Sequence, residues 1–159
     1  MPTPYEAIAG VVNACQLGPT LLTGGQPEER HLHALKEAGV EIILDLRDPM
    51  EPRQVDEASL VPQLGMEYVN IPVRMGALTD EGLDRTLVVL RRAGGRHIFC
   101  HCSSGGRVGG TLLPYLMLDL RMNEDDAVTM AMHLGLRNVE LLDWGLDYVR
   151  RQRQVIGEP

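Results

Sequence analysis

The apolar positions of the chain fall into short blocks whose period switches between strand and helix. Val40-Glu41-Ile42-Ile43-Leu44-Asp45-Leu46 is continuous and β-branched enough for a buried strand, and Arg96-His97-Ile98-Phe99-Cys100-His101-Cys102 is a second of the same kind. Met66-Glu67-Tyr68-Val69-Asn70-Ile71 alternates like a strand and stops at Pro72, while Leu21-Leu22 is a shorter strand closed by Thr23-Gly24-Gly25-Gln26-Pro27. Helical blocks lie between them. One starts at Pro27-Glu28-Glu29 and runs to about Ala38, where Gly39 ends it; a weaker one runs from about Val55 to Leu64. Thr79-Asp80-Glu81-Gly82 offers an N-cap and an acidic first turn to a helix with Leu83, Leu87 and Leu90 on one face, closed by Gly94-Gly95.

After the Cys102 strand come Ser103-Ser104-Gly105-Gly106-Arg107-Val108-Gly109-Gly110 and a helix to about Leu120. This helix is apolar nearly all round and should be kinked by Pro114. Asn123 caps a further helix to about Leu134. A last helix from about Val139 carries Leu142, Leu146 and Val149, with Arg150, Arg151 and Arg153 toward its negative end. Alternating strands and helices predict an α/β fold: a mainly parallel sheet of four to five strands, helices on both faces, and a glycine-rich cysteine loop between the last central strand and a buried helix. A length of 159 residues with 44% apolar side chains fits one domain spanning 1–159.

Charge narrows the partners. With 22 acidic and 15 basic side chains the net charge is −7, which argues against nucleic acid or an anionic membrane as partner. No apolar run reaches the roughly 18 residues of a membrane span, and the N-terminus has no signal-peptide pattern, so a soluble, cytoplasmic protein is expected. Three cysteines, two of them at Cys100 and Cys102, suggest a reducing compartment rather than a disulfide framework. Aromatics at 4% leave few stacking surfaces, and Lys36 is the sole lysine, so the cations are almost all arginine. Nothing in the sequence specifies an oligomeric state.

The chemistry gathers at Cys102. In open α/β sheets ligands bind at the carboxyl ends of strands, where a turn feeds a helix N-terminus. Amides of a glycine-rich turn can converge on an anion there, and the helix dipole adds positive potential. The same field favours thiolate over thiol, and Arg107 can clamp two oxygens of a bound anion. Cys100, on the same face but deeper, reads as structural. His101 alternates to the other face, as a core histidine or as one that hydrogen-bonds the loop backbone. It has no second metal ligand at a recognisable spacing, so neither metal nor cofactor is expected.

His101-Cys102-Ser103-Ser104-Gly105-Gly106-Arg107 resembles the signature loop of the protein-tyrosine-phosphatase superfamily. Gly24-Gly25-Gln26-Pro27, Ile43-Leu44-Asp45-Leu46-Arg47 and Tyr68-Val69-Asn70-Ile71-Pro72-Val73 extend the likeness over roughly residues 18 to 150. The layout is similar to the small bacterial dual-specificity-like branch, including the phosphatase-like domain associated with β-lactamase-like hydrolases. The resemblance implies a cysteine-dependent phosphatase. Cys102 would attack phosphorus, Arg107 would clamp the phosphoryl oxygens, and His101, Ser103, Ser104, Gly105, Gly106 and Val108 would form the substrate-binding loop.

Three departures qualify it. Only four residues separate Cys102 from Arg107, one fewer than in the usual phosphatase loop and the same number as in rhodanese-type sulfurtransferases. Val108 replaces the customary hydroxyl residue that helps sulfur leave. No carboxylate lies in Pro72-Val73-Arg74-Met75-Gly76, where the general acid belongs; Asp80 is the candidate on that loop, with Asp48 and Glu51 as alternatives on the loop after Leu46. Arg47 and Arg74, on these edge loops, read as solvated arginines, with a second anion contact as the alternative. The expected function is hydrolysis of a phosphate monoester on a phosphoprotein or small molecule. Sulfur transfer through a Cys102 persulfide, and a non-catalytic oxyanion-binding or redox-sensing module, are the alternatives.

Overall fold

In the computed structural model, which describes residues 2–157, the two most apolar blocks lie side by side in the sheet interior. They are β3 (Val40–Asp45) and β5 (His97–His101); β1 (Cys15–Leu17), β2 (Leu21–Gly24) and β4 (Glu67–Asn70) complete the sheet. The order is β1-β2-β5-β3-β4, with β1 antiparallel to β2 and the other pairs parallel. Parallel pairing requires crossovers, and α1 (Glu29–Glu37), α2 (Glu57–Gln63) and α3 (Asp80–Arg92) supply them; α4 (Gly106–Pro114), α5 (Glu124–His133) and α6 (Val139–Val155) follow β5.

Strand alternation divides the core in two. Ile43 and Phe99 turn to the face covered by α1, α2 and a 3₁₀ turn at Glu6–Ile8, where Leu32, Leu35, Val61 and Ile8 meet them. Ile42, Leu44, Ile98 and Cys100 turn to the other face, under α4, α5 and α6. Each fully buried Leu, Ile or Phe contributes roughly 1.5–3 kcal/mol by leaving water, so both faces drive closure of the sheet. No helix among the described residues is long and apolar enough to cross a membrane.

Three local expectations change. β1 lay outside the expected strands; it is a three-residue edge strand pairing Cys15 with Thr23 and Leu17 with Leu21. Thr79 stands at the N-cap of α3 without a side-chain cap bond, its carbonyl accepting instead from Trp144 Nε1 at 3.2 Å. After Pro114 the α4 helix widens into a π-helical turn at Tyr115–Asp119, closed by the Leu120 amide on the Tyr115 carbonyl at 3.0 Å. The wide turn carries the chain past a residue that has no N–H to donate.

α4 and α6 cross backbone to backbone. A methyl at Gly145 would stand 2.8 Å from the Gly110 carbonyl oxygen, and one at Gly110 would stand 2.9 Å from Leu141 Cβ. Because α4 carries the cysteine loop at its start, this crossing fixes the loop's helix against the rest of the core. Gly145→Ala and Gly110→Ala should each lower stability by about 1–3 kcal/mol through overpacking, measured as a reduced urea midpoint with unchanged slope.

Candidate active site

β5 delivers Cys102 to the carboxyl edge of the sheet between the ends of β2 and β3, where Gly24 and Asp45 pair with His101. The chain then folds into a cup. The Cys102 amide donates to the Gly24 carbonyl at 3.3 Å, the Ser103 carbonyl accepts from the Gln26 amide at 2.9 Å, and the Ser104 carbonyl accepts from Asn13 Nδ2 at 2.6 Å. With two loop carbonyls tied outward, the loop N–H groups are left for the inside. The Gly105 amide points at Cys102 Sγ, 3.0 Å away, and the first amides of α4 have no intrahelical acceptor. Gly105 has φ +105°, which a side chain strongly disfavours. Gly25 lies so close to the loop that a methyl there would sit 2.5 Å from the Ser103 carbonyl. Cys102 itself is 1% exposed, at the bottom of the cup.

Arg107, in the first turn of α4, reaches over this cup into a carboxylate. Its Nη1 and Nη2 donate to Glu51 Oε2 and Oε1 at 2.7 and 3.0 Å, a two-pronged pair, and Glu51 also accepts from Arg47 Nε at 3.2 Å and the Asp48 amide at 2.7 Å. Hydrogen bonding from Arg107, opposed by burial and reinforced by the Asp48 amide and Arg47, pushes the Glu51 carboxyl down to about 2. Burial works against the charge on Arg107, but Glu51 and the neighbouring Cys102 sulfur more than offset it, so its pKa is raised.

The other expected acids are also engaged. Asp48 is bound by Arg74, which with the Met50 amide holds its carboxyl below the usual range. Asp80 pairs with Arg151 at 2.6 Å, at the exposed start of α3. Among these three carboxylates only Glu51 touches Arg107. Arg47, read from sequence as solvated, is 8% exposed and donates to Gln26 Oε1 and the Pro52 carbonyl as well as to Glu51; Arg74 is exposed, as expected.

The side chains of His101 and Val108, which the resemblance assigns to the substrate loop, are both fully buried, and for His101 this is the other-face, loop-bonding position that strand alternation predicts. Val108 belongs to the core under α4, because its position in the helix turns inward. His101 faces away from Cys102, stacked on Phe99, with Nε2 2.7 Å from Glu57 Oε1 and Nδ1 3.1 Å from the Cys102 carbonyl. Burial opposes a charge on His101, yet Glu57 and Asp45 raise its pKa. Ser103, Ser104, Gly105 and Gly106 form the wall of the cup.

Sequence reasoning missed the support beneath. Glu57 and Asp45 are both completely buried; Arg53 Nη1 donates to Asp45 Oδ2 at 2.6 Å and to Glu57 Oε2 at 3.3 Å, and Tyr68 donates to Asp45 at 2.7 Å. Donor atoms of Asp45, Glu57 and His101 lie within 4.8 Å of one another, a spacing a cation accepts. Arg53 already supplies that positive charge, and Gln26, Tyr68 and the Arg47 amide take further lone pairs, so the set does not fit a metal ion. Gln26 had a signal in its Gly-Gly-Gln-Pro setting. Glu57 and Asn13 had none, since a first-turn acid and a polar turn residue are ordinary features.

The family model described as "DSP-PTPase phosphatase fused to NAD+ Kinase" matches residues 13–132. No curated protein matches the chain by sequence. Among solved structures, a candidate phosphatase (DUF442) from Shewanella putrefaciens CN-32 is similar with a TM-score of 0.78 at 23% identity, over 92% of this chain and 97% of that one. Tk-PTP in its active form gives 0.74 at 19% identity, over 87% and 97%. The core catalytic domain of the PP-IP phosphatase SIW14 from S. cerevisiae, in complex with citrate, gives 0.72 at 15% identity, over 92% and 94%.

A carboxyl held near 2 in the folded chain, against about 4.3 when unfolded, stabilises the fold above the unfolded value and loses that contribution as pH falls toward 2. Glu51→Gln should therefore be less stable than the parent from pH 7 down to about 5. The gap should close between about pH 4.3 and 2, read from denaturant midpoints across that range; a gap independent of pH would exclude an ionic pair.

Proposed function

The chain belongs to the family described as DSP-PTPase phosphatase fused to NAD+ kinase, a small dual-specificity-like branch of the protein-tyrosine-phosphatase superfamily, and on that premise we propose that it hydrolyses phosphate monoesters through Cys102. The observation that carries this reading is the convergence at one strand end of the Cys102 sulfur, the amides of a tight loop and the Arg107 guanidinium. The thiolate attacks phosphorus, an S–P bond forms, and the ester P–O bond breaks with its electron pair leaving on oxygen. Loop amides and Arg107 take the negative charge of the phosphoryl oxygens as it spreads in the transition state. Water then attacks the cysteinyl-phosphate, the S–P bond breaks, and the thiolate and inorganic phosphate are regenerated.

The site favours some substrates over others. Glu51 and Asp48 are held ionised by arginines, and Asp80 is bound by Arg151, so none of the three stands ready to protonate a leaving oxygen. Leaving groups that depart without a proton, such as phenolates, should be turned over faster than alkoxides. Glu51 must also share or yield Arg107 when a phosphoryl group enters. The net charge of −7 and the recessed sulfur favour compact oxyanions over large acidic partners. The citrate complex of the SIW14 structure is in keeping with a compact polyanion as ligand class.

A second reading, sulfur transfer through a Cys102 persulfide, is favoured by one observation: the loop spans only four residues between Cys102 and Arg107, and its Gly105 amide already points at the sulfur. Intact-mass measurements after separate incubation with an aryl phosphate and a sulfane donor decide between them. The phosphatase reading expects a phosphoryl adduct on Cys102. That adduct should accumulate, because Val108 offers the departing sulfur no hydroxyl. Cys102→Ser should abolish aryl-phosphate hydrolysis, and Arg107→Ala should lower kcat/KM about 100-fold or more. Activity retained in both variants, or a sulfur adduct alone, overturns it.

A further inference from the structure

One peptide group of the cysteine loop is engaged at both ends. The Ser104 carbonyl accepts from Asn13 Nδ2 at 2.6 Å, and the Gly105 amide, the other end of the same planar unit, points at Cys102 Sγ 3.0 Å away. In a trans peptide the C=O and N–H point in opposite directions, so a partner that fixes one fixes the other. Turning the unit over changes little more than ψ of Ser104 and φ of Gly105. Glycine takes either sign of φ, so the loop's own backbone leaves the choice open. Turned over, the unit would present its carbonyl oxygen to the sulfur, and with it to any oxyanion bound there.

Asn13 is shaped for this contact. It stands before β1 with φ +55°, a left-handed conformation that asparagine tolerates better than most side chains. The Val12 carbonyl accepts from the Gly25 amide at 2.8 Å, which ties the segment to the turn after β2. Across the contact, Gly105 and Gly135 also have positive φ, at +105° and +123°. A methyl on Gly105 would stand 3.1 Å from Asn13 Cβ, and one on Gly135 would stand 3.2 Å from Asn13 Nδ2. Left-handed residues from three stretches of chain thus meet around the Asn13 side chain, and its amide end must face Ser104 because only Nδ2 donates. Asn13 is exposed, so water competes for the bond and it adds little stability. What it supplies is direction.

We propose that Asn13 is a positioning residue for the anion cup: by holding the Ser104 carbonyl outward it keeps the Gly105 N–H, rather than an oxygen, turned toward the reacting sulfur and the phosphoryl group bound there. Asn13 touches no substrate and acts only through this peptide. The inference rests on the reading of Cys102 as nucleophile.

The test is Asn13→Gly on the full chain. Glycine keeps the left-handed backbone, removes the donor and adds no charge, and Arg107, the cation beside the sulfur, keeps its pairing with Glu51. Alkylation of Cys102 by iodoacetamide is followed against pH by peptide mass, so that Cys15 and Cys100 are scored separately. Losing an N–H that favours the thiolate should raise the midpoint by about one pH unit, slowing the reaction about tenfold below it. A merely structural bond predicts otherwise: a loosened loop would expose the buried sulfur and raise the plateau rate with the midpoint unmoved. The Gly105 amide proton, read by NMR on isotope-labelled protein, should follow the ionisation of Cys102 in the parent and cease to do so in Asn13→Gly.

An unmoved midpoint in folded Asn13→Gly overturns the proposal, as does a Gly105 proton that ignores the sulfur in the parent or still follows it in the variant. If Asn13→Gly does not fold, Asn13→Ser, whose hydroxyl is one bond too short to reach Ser104, is read in the same way. Neither measurement needs turnover, so the two readings fail separately. A parent chain inactive on phosphate esters but with both changes in the variant sinks only the phosphatase reading; an active parent with neither change sinks only this one.

Discussion

Two carboxylates without access to water set the terms for the rest of the structure. Asp45 ends β3 and Glu57 begins α2, and both are completely buried behind the cysteine loop. An unpaired buried charge costs several kcal/mol, so every neighbour is recruited as a donor: Arg53, Tyr68, Gln26, His101 and the Arg47 amide. These donors come from four separate stretches of chain. Satisfying two carboxylates thus draws together the ends of β2, β3 and β5, the edge at which Cys102 stands.

The same chemistry continues upward to the mouth. Gln26 links Glu57 to Arg47, Arg47 shares Glu51 with Arg107, and Arg107 lies beside the Cys102 sulfur. Above the Gln26 bridge, arginine, acid and arginine alternate, so no cation near the sulfur is held by packing alone. For an acidic chain this is a way to keep a concentrated positive site: each guanidinium is matched locally, and the protein's overall charge plays no part in holding it.

How much of this was legible depends on what each residue's neighbours in sequence reveal. β3 and β5 were readable because Ile42-Ile43-Leu44 and Ile98-Phe99-Cys100 are apolar at both parities, which only a strand covered on two faces tolerates. Cys102 and Arg107 were readable because strand, glycines and arginine follow one another without a gap. β1 was not, since three residues before a Gly-Pro turn carry no period. Arg47 looked solvated because an arginine before Asp-Pro usually is, and its burial depends on Gln26 and Glu51, 21 positions before and four after. Glu57 was invisible for the opposite reason: an acid in a helix's first turn is so common that its use by His101, 44 positions away, leaves no local mark.

The hydrogen bond from Asn13 to the Ser104 carbonyl joins residues 91 positions apart, and those that the Gly24 carbonyl accepts from the loop and the Gln26 amide donates to it span nearly as far. Contacts of such sequence separation close late, because the entropy of a long loop must be overcome before they return any stabilisation. While the chain is being synthesised, Cys102 is therefore an ordinary thiol on an unshaped segment. It acquires its cup only when the first strands and β5 have docked, so chemical competence arrives as one of the last events of folding.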